Sequence, residues 1–317
     1  MSDLGHVVVL AGGLSYEREI SLRSGRRVAD ALRGLGVDVE LRDADASLIS
    51  ALTSPAPDVV FPVLHGAAGE DGSIRDVLEL LGTPYVGARP DACRAAWDKP
   101  TAKAIVRTAG LSTPDSVALP RELFHDLGAA AVMERVVARL GLPLFVKPTR
   151  GGSALGAAIV RDAAELPAAM VGCFAYGDAA LIEQCVDGVE VAVGVIDGDP
   201  DALPAVEIVA AGGVYDYTAR YDSSRTEFIS PARLSAEAAR AAADMALTAH
   251  RSLGLRDISR TDLIVDPSGS AHFLEVNVAP GMTETSLLPM AIAAAGLDLG
   301  TVCRELCVLA SCRTARR

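Results

Sequence analysis

Aromatic residues are scarce, 4% of 317 with a single tryptophan, and basic residues are outnumbered, which leaves a formal net charge of −12. A nucleic-acid surface wants a basic stripe and stacking rings, so no nucleic-acid partner is expected. The acidic balance still leaves room for a local cationic pocket around a phosphorylated small molecule. No stretch reaches the roughly 18 consecutive apolar residues of a membrane span, so no membrane partner is expected. The start of the chain has no cationic leader region, and Val7–Leu10 has the length of a core strand. The six cysteines (Cys93, Cys173, Cys185, Cys303, Cys307, Cys312) form no C-x-x-C and no zinc-like pairing with histidine. They read as reduced and mostly buried, which makes a cytoplasmic location the expectation. Cys303 and Cys307 stand one helical turn apart and read as core packing. Also missing are G-x-G-x-x-G after the first strand and any G-x-x-x-x-G-K-[ST], so dinucleotide and Walker-type readings lose their main support.

What is present is apolar residue in quantity. Half of the chain is hydrophobic, enough for full cores and too much for wholesale disorder. The length suits two or three domains of roughly 100–150 residues. Residues 1–90 alternate strand and helix: His6–Leu10, a helix from about Glu19, Val37–Leu41, a helix, Asp58–Leu64, then a helix over Ile74–Leu81. That β-α-β-α-β order predicts a parallel sheet with functional loops at the carboxyl ends of its strands. Both unusual loops, after Leu10 and after Leu64, fall at such ends. Residues 91–185 change character. A short apolar strand, Pro143–Pro148, is interrupted by Lys147 and followed by a glycine-rich loop and the strand Ala157–Val160, a flap able to lie over a ligand. Residues 186–317 hold strands at Glu190–Ile196 and Ala205–Ala210, a polar stretch over about 212–230 too long for a simple connector, a helix through His250, a hairpin and a final helix over Leu297–Ala310.

The hairpin is the sharpest signal. Asp266-Pro267-Ser268-Gly269 suits a type I turn. Side chains alternate faces along a strand, so Arg260 and Asp262 share one face, and Glu275 and Asn277 share one face of the return strand. A loop centred between Ser268 and Gly269 sets Asp262 opposite Glu275, whereas a one-residue slip would part the four. Two carboxylates and an amide oxygen on one patch are the oxygen set that magnesium takes, with positions left for phosphate and water. A solvated hairpin face is the alternative at this point. Gly281, after Pro280, brings a backbone N–H close to a ligand beside Arg260, where it could hold a developing oxyanion, and Ser286 stands at a possible helix start. Lys147 near a glycine-rich loop suits phosphate, though a lysine in such a strand can also snorkel. Ser15 is a possible helix cap, but Arg18 spoils a capping box and leaves Glu17 without a capping role. Lys99, His65, Glu183 and Glu190 say little individually.

Taken in order, AGGLSYEREISLRSG, LHGAAGEDGSIRDVLELLGTPYVG, WDKPTAK, FVKPTRGGSALG, IEQCVDGVEV, YDYTARY, SRTDLIVD and FLEVNVAPGMTETSLLP resemble the D-alanine–D-alanine ligases of the ATP-grasp superfamily along nearly the whole chain. The resemblance implies an α/β ATP-grasp fold: an N-terminal Rossmann-like parallel-sheet domain (1–90), a central flap subdomain (91–185) and a C-terminal mixed-sheet catalytic domain (186–317). It implies ATP and two magnesium ions, with manganese as a substitute, acting to join two D-alanines through an acyl phosphate for peptidoglycan synthesis. By the same resemblance, Lys99 and Lys147 would hold ATP phosphates under the loop around Ser153, while Glu183 would read the adenine side and Glu190 the ribose. Asp262, Glu275 and Asn277 would ligate the metals. Glu17 would pair with the first D-alanine's ammonium, and His65 would lie near its carboxylate. Arg260 and Gly281 would stabilise the tetrahedral centre, and Ser286 with Leu287 would take the second substrate. Tyr221, on the lid, would link to Glu17 and Ser153, with Arg220 beside it reaching nucleotide and substrate. A homodimer is implied as well.

The chain departs from the family pattern at Arg220, where lysine is common, at Gly151 and Ala154 in the phosphate loop, and at Thr285, where histidine is frequent. These departures bear on acceptor preference and loop closure. A related carboxylate–amine ligase with another acceptor and a catalytically silent ATP-binding module are therefore the rival expectations.

Overall fold

In the computed structural model, which describes residues 4–198, 202–210 and 226–313, three sheets carry the chain. The first joins β1 (His6–Ala11), β2 (Asp38–Asp43) and β3 (Val59–Pro62) in the parallel order β2-β1-β3. Tyr85 adds a single parallel bridge to Val60. From Val7 to Ala11 β1 is apolar because both its faces are covered. Val7 and Val9 face a core shared with the helices Arg18–Gly34 and Leu299–Ser311, while Val8 and Leu10 face Leu48, Leu52 and Leu78. The helix after β1 starts without a side-chain cap. Ser15, the candidate cap, instead takes Glu17 N–H on its hydroxyl at 3.2 Å and Arg18 N–H on its carbonyl at 3.1 Å. It builds a turn that leaves the Glu17 carboxylate for other work.

The second sheet contains β4 (Ser116–Pro120), β5 (Leu144–Pro148), β6 (Ala158–Val160) and β7 (Ala179–Gln184), all antiparallel, in the order β4-β7-β5-β6. The expected flap is the β5–β6 pair with its glycine-rich connection. Lys147 is therefore on a strand flanked by two others, and it is buried.

The third sheet runs β10-β9-β8-β11-β12, from β8 (Val189–Ile196), β9 (Val206–Ala210), β10 (Thr226–Ile229), β11 (Ile258–Val265) and β12 (Ala271–Asn277). Where a mixed sheet is expected, all four described pairings are antiparallel. Three of them join strands that follow each other in the chain, which needs no parallel crossover. The segment expected as a lid ends in strand: 226–229 form β10, and the remainder up to 225, with Arg220 and Tyr221, lies outside the described residues. One face of this sheet packs on the helices Lys99–Thr108 and Ala236–Ser252 around Val191, Val193, Leu263 and Phe273. The expected final helix is Leu299–Ser311, and Ser286 directly precedes another, Leu287–Ala294. All six cysteines are free, four of them buried, and among the described residues no helix is long and apolar enough to cross a membrane.

The β11–β12 hairpin reaches its register by an indirect route. The turn closes as expected, Gly269 N–H to Asp266 O at 2.9 Å. Near it, however, Leu263 pairs with Phe273 and Val265 with Ala271, a register that carried on would set Asp262 against Leu274. A bulge at Leu274 absorbs one residue, after which Asp262 faces Glu275 and Arg260 faces Asn277. The extra residue breaks the simple alternation of β12. Phe273 points into the core, whereas Leu274 and Glu275, consecutive in sequence, both line the crevice on the other side.

Candidate active site

The crevice lies between the flap and the third sheet. Its end beneath the flap is walled by Lys99, Phe145, Lys147, the 151–152 glycines, Glu190, Asp262, Leu274 and Glu275. Glu183 and Glu190 border a deeper continuation that also reaches Val209 and Ala210. A narrower passage lined by Lys99, Ser153, Arg260 and Glu275 leads on to a second pocket. There Glu17, His65, Glu70 and Ser153 meet Arg260, Asn277, Gly281, Thr283, Thr285, Ser286 and Leu287. All the candidate residues among the described ones thus line a single groove.

Charge beneath the flap is arranged around Glu183. This carboxylate is 2% exposed and sits between two ammonium groups, Lys147 at 2.7 Å on one oxygen and Lys103 on the other. Burial pushes its pKa up, but the charges of Lys147 and Lys103 outweigh burial and leave it below the usual carboxylate range. Burial lowers Lys147 as well, and Glu183, Glu275 and Glu190 together more than reverse that. For Lys103 burial dominates, and its pKa is lowered despite Glu183. The cluster therefore carries two cations on one anion, and its surplus positive charge faces the crevice through Lys147. Lys103 escapes sequence reasoning. The available signal is its position one helical turn after Lys99, on the buried side of the helix Lys99–Thr108. Lys99 donates to Gly151 O at 2.7 Å and stands 3.5 Å from Glu275, so it ties the glycine-rich loop to the hairpin.

On the hairpin, Arg260 grips Asp262 with both prongs, Nε and a terminal nitrogen each at 2.7 Å from one carboxylate oxygen. The bidentate pair is buried and fixes the guanidinium plane. Asn277 accepts Ala279 N–H at 2.8 Å on its side-chain oxygen. Asp262, Glu275 and Asn277 supply two carboxylates and an amide oxygen, a donor set that suits a hard divalent cation.

In the second pocket, Ser153 donates to the Glu17 carboxylate, joining the flap loop to the N-terminal sheet. Ser153 and Ala154 both occupy the left-handed region, at φ 57° and 53°, a strained arrangement typical of ligand-gripping loops. His65 is buried, with Nδ1 3.0 Å from Ala279 O and Nε2 3.2 Å from Ser24 Oγ. Burial lowers its pKa despite the nearby Glu17 charge, so the ring is neutral, and it braces the turn after β12. Ser24 also accepts Met282 N–H at 3.1 Å. A methyl group on Gly281 would come 2.7 Å from Ser286 Oγ, so the close approach there requires glycine. Ser286, which precedes the helix Leu287–Ala294, accepts no helix N–H on its side chain; its hydroxyl receives Thr283 N–H at 3.0 Å. Glu70 is a further residue that sequence reasoning misses. It is buried, accepts Gly66 N–H at 2.9 Å, and burial with the Glu17 charge pushes its pKa up to about 8. Nothing in the glycine-rich run HGAAGEDG marks it off from neighbouring acids.

An antiparallel flap closing over an antiparallel sheet, with lysines from the flap side facing acids on the sheet, defines the molecule as an ATP-grasp enzyme. Family models described as "D-ala D-ala ligase N-terminus" and "D-ala D-ala ligase C-terminus" match residues 40–88 and 105–307. A D-alanine–D-alanine ligase from Anaeromyxobacter sp. (strain K) is 41% identical over 300 residues, 95% of each chain. One from Nitrosospira multiformis is 42% identical over 93% of this chain and 94% of its own. Among solved structures, the VanG D-Ala:D-Ser ligase from Enterococcus faecalis superposes with a TM-score of 0.83 at 30% identity, covering 96% of this chain and 99% of that one. The Bacillus anthracis D-alanine–D-alanine ligase complexed with ATP gives 0.81 at 27% identity over 98% of both. The chain belongs to the D-alanine–D-alanine ligase family.

Proposed function

We propose that this protein joins two D-alanines at the expense of ATP, giving D-alanyl-D-alanine, ADP and phosphate for peptidoglycan synthesis. The observation that carries the reading is the continuity of the groove. A nucleotide end that sets Lys99, Lys147 and Arg150 against Glu190, Asp262 and Glu275 meets a pocket with paired acid, imidazole and hydroxyl groups through a passage lined by Lys99, Arg260 and Glu275.

The chemistry follows from that junction. The carboxylate of the first D-alanine attacks the γ-phosphorus, the bond to the β–γ bridging oxygen breaks, and ADP leaves with an acyl phosphate formed. Two like unit charges about 4 Å apart repel by about 4 kcal/mol at an effective dielectric of 20. Lys99, Lys147 and Arg260 offset that repulsion. Asp262, Glu275 and Asn277 would hold magnesium, which when bound supplies further neutralisation of phosphate charge. Glu17, fixed by Ser153, receives the first substrate's ammonium. The amine of the second D-alanine, once deprotonated, attacks the acyl carbon. Arg260 and the Gly281 N–H hold the oxyanion until phosphate departs. Ser286 and Leu287 receive the second substrate at the far end of the pocket, and the flap loop excludes water from the acyl phosphate.

A second reading rests on the acceptor end. Thr283, Thr285 and Ser286 place three hydroxyls around it, with Thr283 and Thr285 Oγ1 3.4 Å apart, a lining that suits D-serine as acceptor. Phosphate release with ATP, magnesium and a panel of D-alanine, D-serine, D-lactate and L-alanine tests both. Turnover with D-alanine alone supports the first reading, and turnover only when D-serine is added supports the second. ATP binding without turnover on any of them overturns both in favour of a silent module. A cytoplasmic location and a homodimer belong to the same proposal, and sedimentation measures the latter.

A further inference from the structure

Asp257, at the root of β11, departs from the usual rule for its backbone. It is a non-glycine residue at φ 66° and it is 0% exposed, a conformation disfavoured for L side chains. Its contacts show what the strain maintains. One carboxylate oxygen accepts the backbone N–H of Gly87 at 2.6 Å, and both guanidinium nitrogens of Arg313 close on the group, one of them at 2.7 Å. Its own N–H goes to Asp197 at 2.6 Å. The preceding residue, Arg256, donates to Gly87 O at 2.7 Å. Gly87 is thus held at both its backbone groups by two consecutive residues of a different sheet. Gly87 follows the Tyr85 bridge of the N-terminal sheet and lies three residues before the helix Pro90–Trp97, which leads directly to Lys99. Asp257 lies three residues before Arg260.

The other end of the same interface is fastened differently, by Ser24 and His65 to the turn at Ala279–Met282 and by Arg27 to Met282 O at 3.1 Å. The substrate pocket lies at the same interface, with Glu17, His65 and Glu70 on one wall and Arg260 and Asn277 on the other. We infer that Asp257 is a positioning residue, whose buried carboxylate clamps the end of the N-terminal sheet to the root of β11 and so sets where Arg260 stands relative to the Glu17 wall. Loosening the clamp lets that wall rock about the remaining fastening. The nucleotide end is walled by residues of the second and third sheets and by Lys99, whose ammonium is held apart from the clamp, on Gly151 O at 2.7 Å and 3.5 Å from Glu275.

The inference rests on the ligase reading, and the wild-type assay separates the two: no D-alanine-dependent turnover in the wild type sinks that reading, whereas the variants judge the clamp. Asp257→Gly removes the carboxylate and gives the backbone the residue its conformation prefers. The KM for D-alanine should rise about 5–10-fold while the KM for ATP stays within about twofold. Arg313→Ala should move the D-alanine KM in the same direction by less, and the double variant should match Asp257→Gly, since Arg313 acts through that carboxylate. A role confined to stability would lower the active fraction and hence kcat, leaving both KM values alone; that result overturns the clamp. Should Asp257→Gly fail to fold, Arg313→Ala decides, and an unchanged D-alanine KM overturns the inference.

Discussion

Replacing Glu183 by glutamine changes almost no volume and removes the anion between two ammonium groups. In the wild type, Lys147 and Lys103 share this 2%-exposed carboxylate. In Glu183→Gln both cations stay buried beside a neutral amide. Removing one partner of a buried ion pair costs about 3–5 kcal/mol, because an uncompensated charge remains. At roughly 2 °C per kcal/mol for a chain of this size, the melting temperature should fall by about 6–10 °C. Lys103→Met acts in the other direction on charge: one cation and one anion remain, so stability suffers less, but Lys147 is neutralised and the KM for ATP rises. The double variant restores a surplus of one positive charge with the anion gone and should recover part of the loss, a non-additivity that a thermal-shift series reads directly. A Glu183→Gln protein melting within about 2 °C of the wild type, or a double variant equal to the sum of the singles, would refute the charge arrangement. Linkage adds a pH signature. Glu183 has a depressed pKa, so its contribution is present above the unfolded carboxylate value and is lost as pH falls through the folded one.

Other consequences can be measured alongside. Glu275→Gln should keep the melting profile and lower ATP-dependent phosphate release by about 100-fold or more; near-normal turnover would count against the hairpin's place in the chemistry. Ser153→Ala removes the flap's hydrogen bond to the Glu17 carboxylate and should raise the KM for D-alanine by about tenfold, roughly the worth of a hydrogen bond to a charged group, with the KM for ATP little changed. Glu70, with its pKa near 8, stays protonated in the fold where an unfolded chain would ionise. Stability should therefore fall by up to about 1.4 kcal/mol per pH unit between about pH 4.5 and 8, and Glu70→Gln should flatten that slope in melts over the same range. Equal slopes in both proteins would show that Glu70 is ionised in the native state.

The hairpin shows how legibility varied along the chain. Alternation and the Asp266–Gly269 turn raise the expectation that Arg260, Asp262, Glu275 and Asn277 share one face, and the pairing sets Asp262 against Glu275 and Arg260 against Asn277. Yet the register that does so is reached through a bulge at Leu274 that no local signal announces. Bulges answer to packing, here the demand that Phe273 enter the core while Glu275 does not. The same holds for Lys103, Glu70 and Asp257. Each is an ionisable residue in an unremarkable stretch that the fold buries, with partners 80 residues away for Lys103 and 170 for Asp257.

By itself, then, the order of residues determined what depends on neighbours in the chain: the alternating β and α elements, the glycine-rich loops, the turn chemistry and the motif string that places the protein in its family. These follow from backbone sterics and from periodicities of two and 3.6 residues. Tertiary structure alone decided which ammonium groups share Glu183, that Ser153 reaches Glu17, that His65 braces the turn after β12, and that Asp257 binds Gly87. Such contacts join distant segments in a poorly screened interior, where the strength of a charge depends on what packing brings beside it, and spacing along the chain carries no record of that.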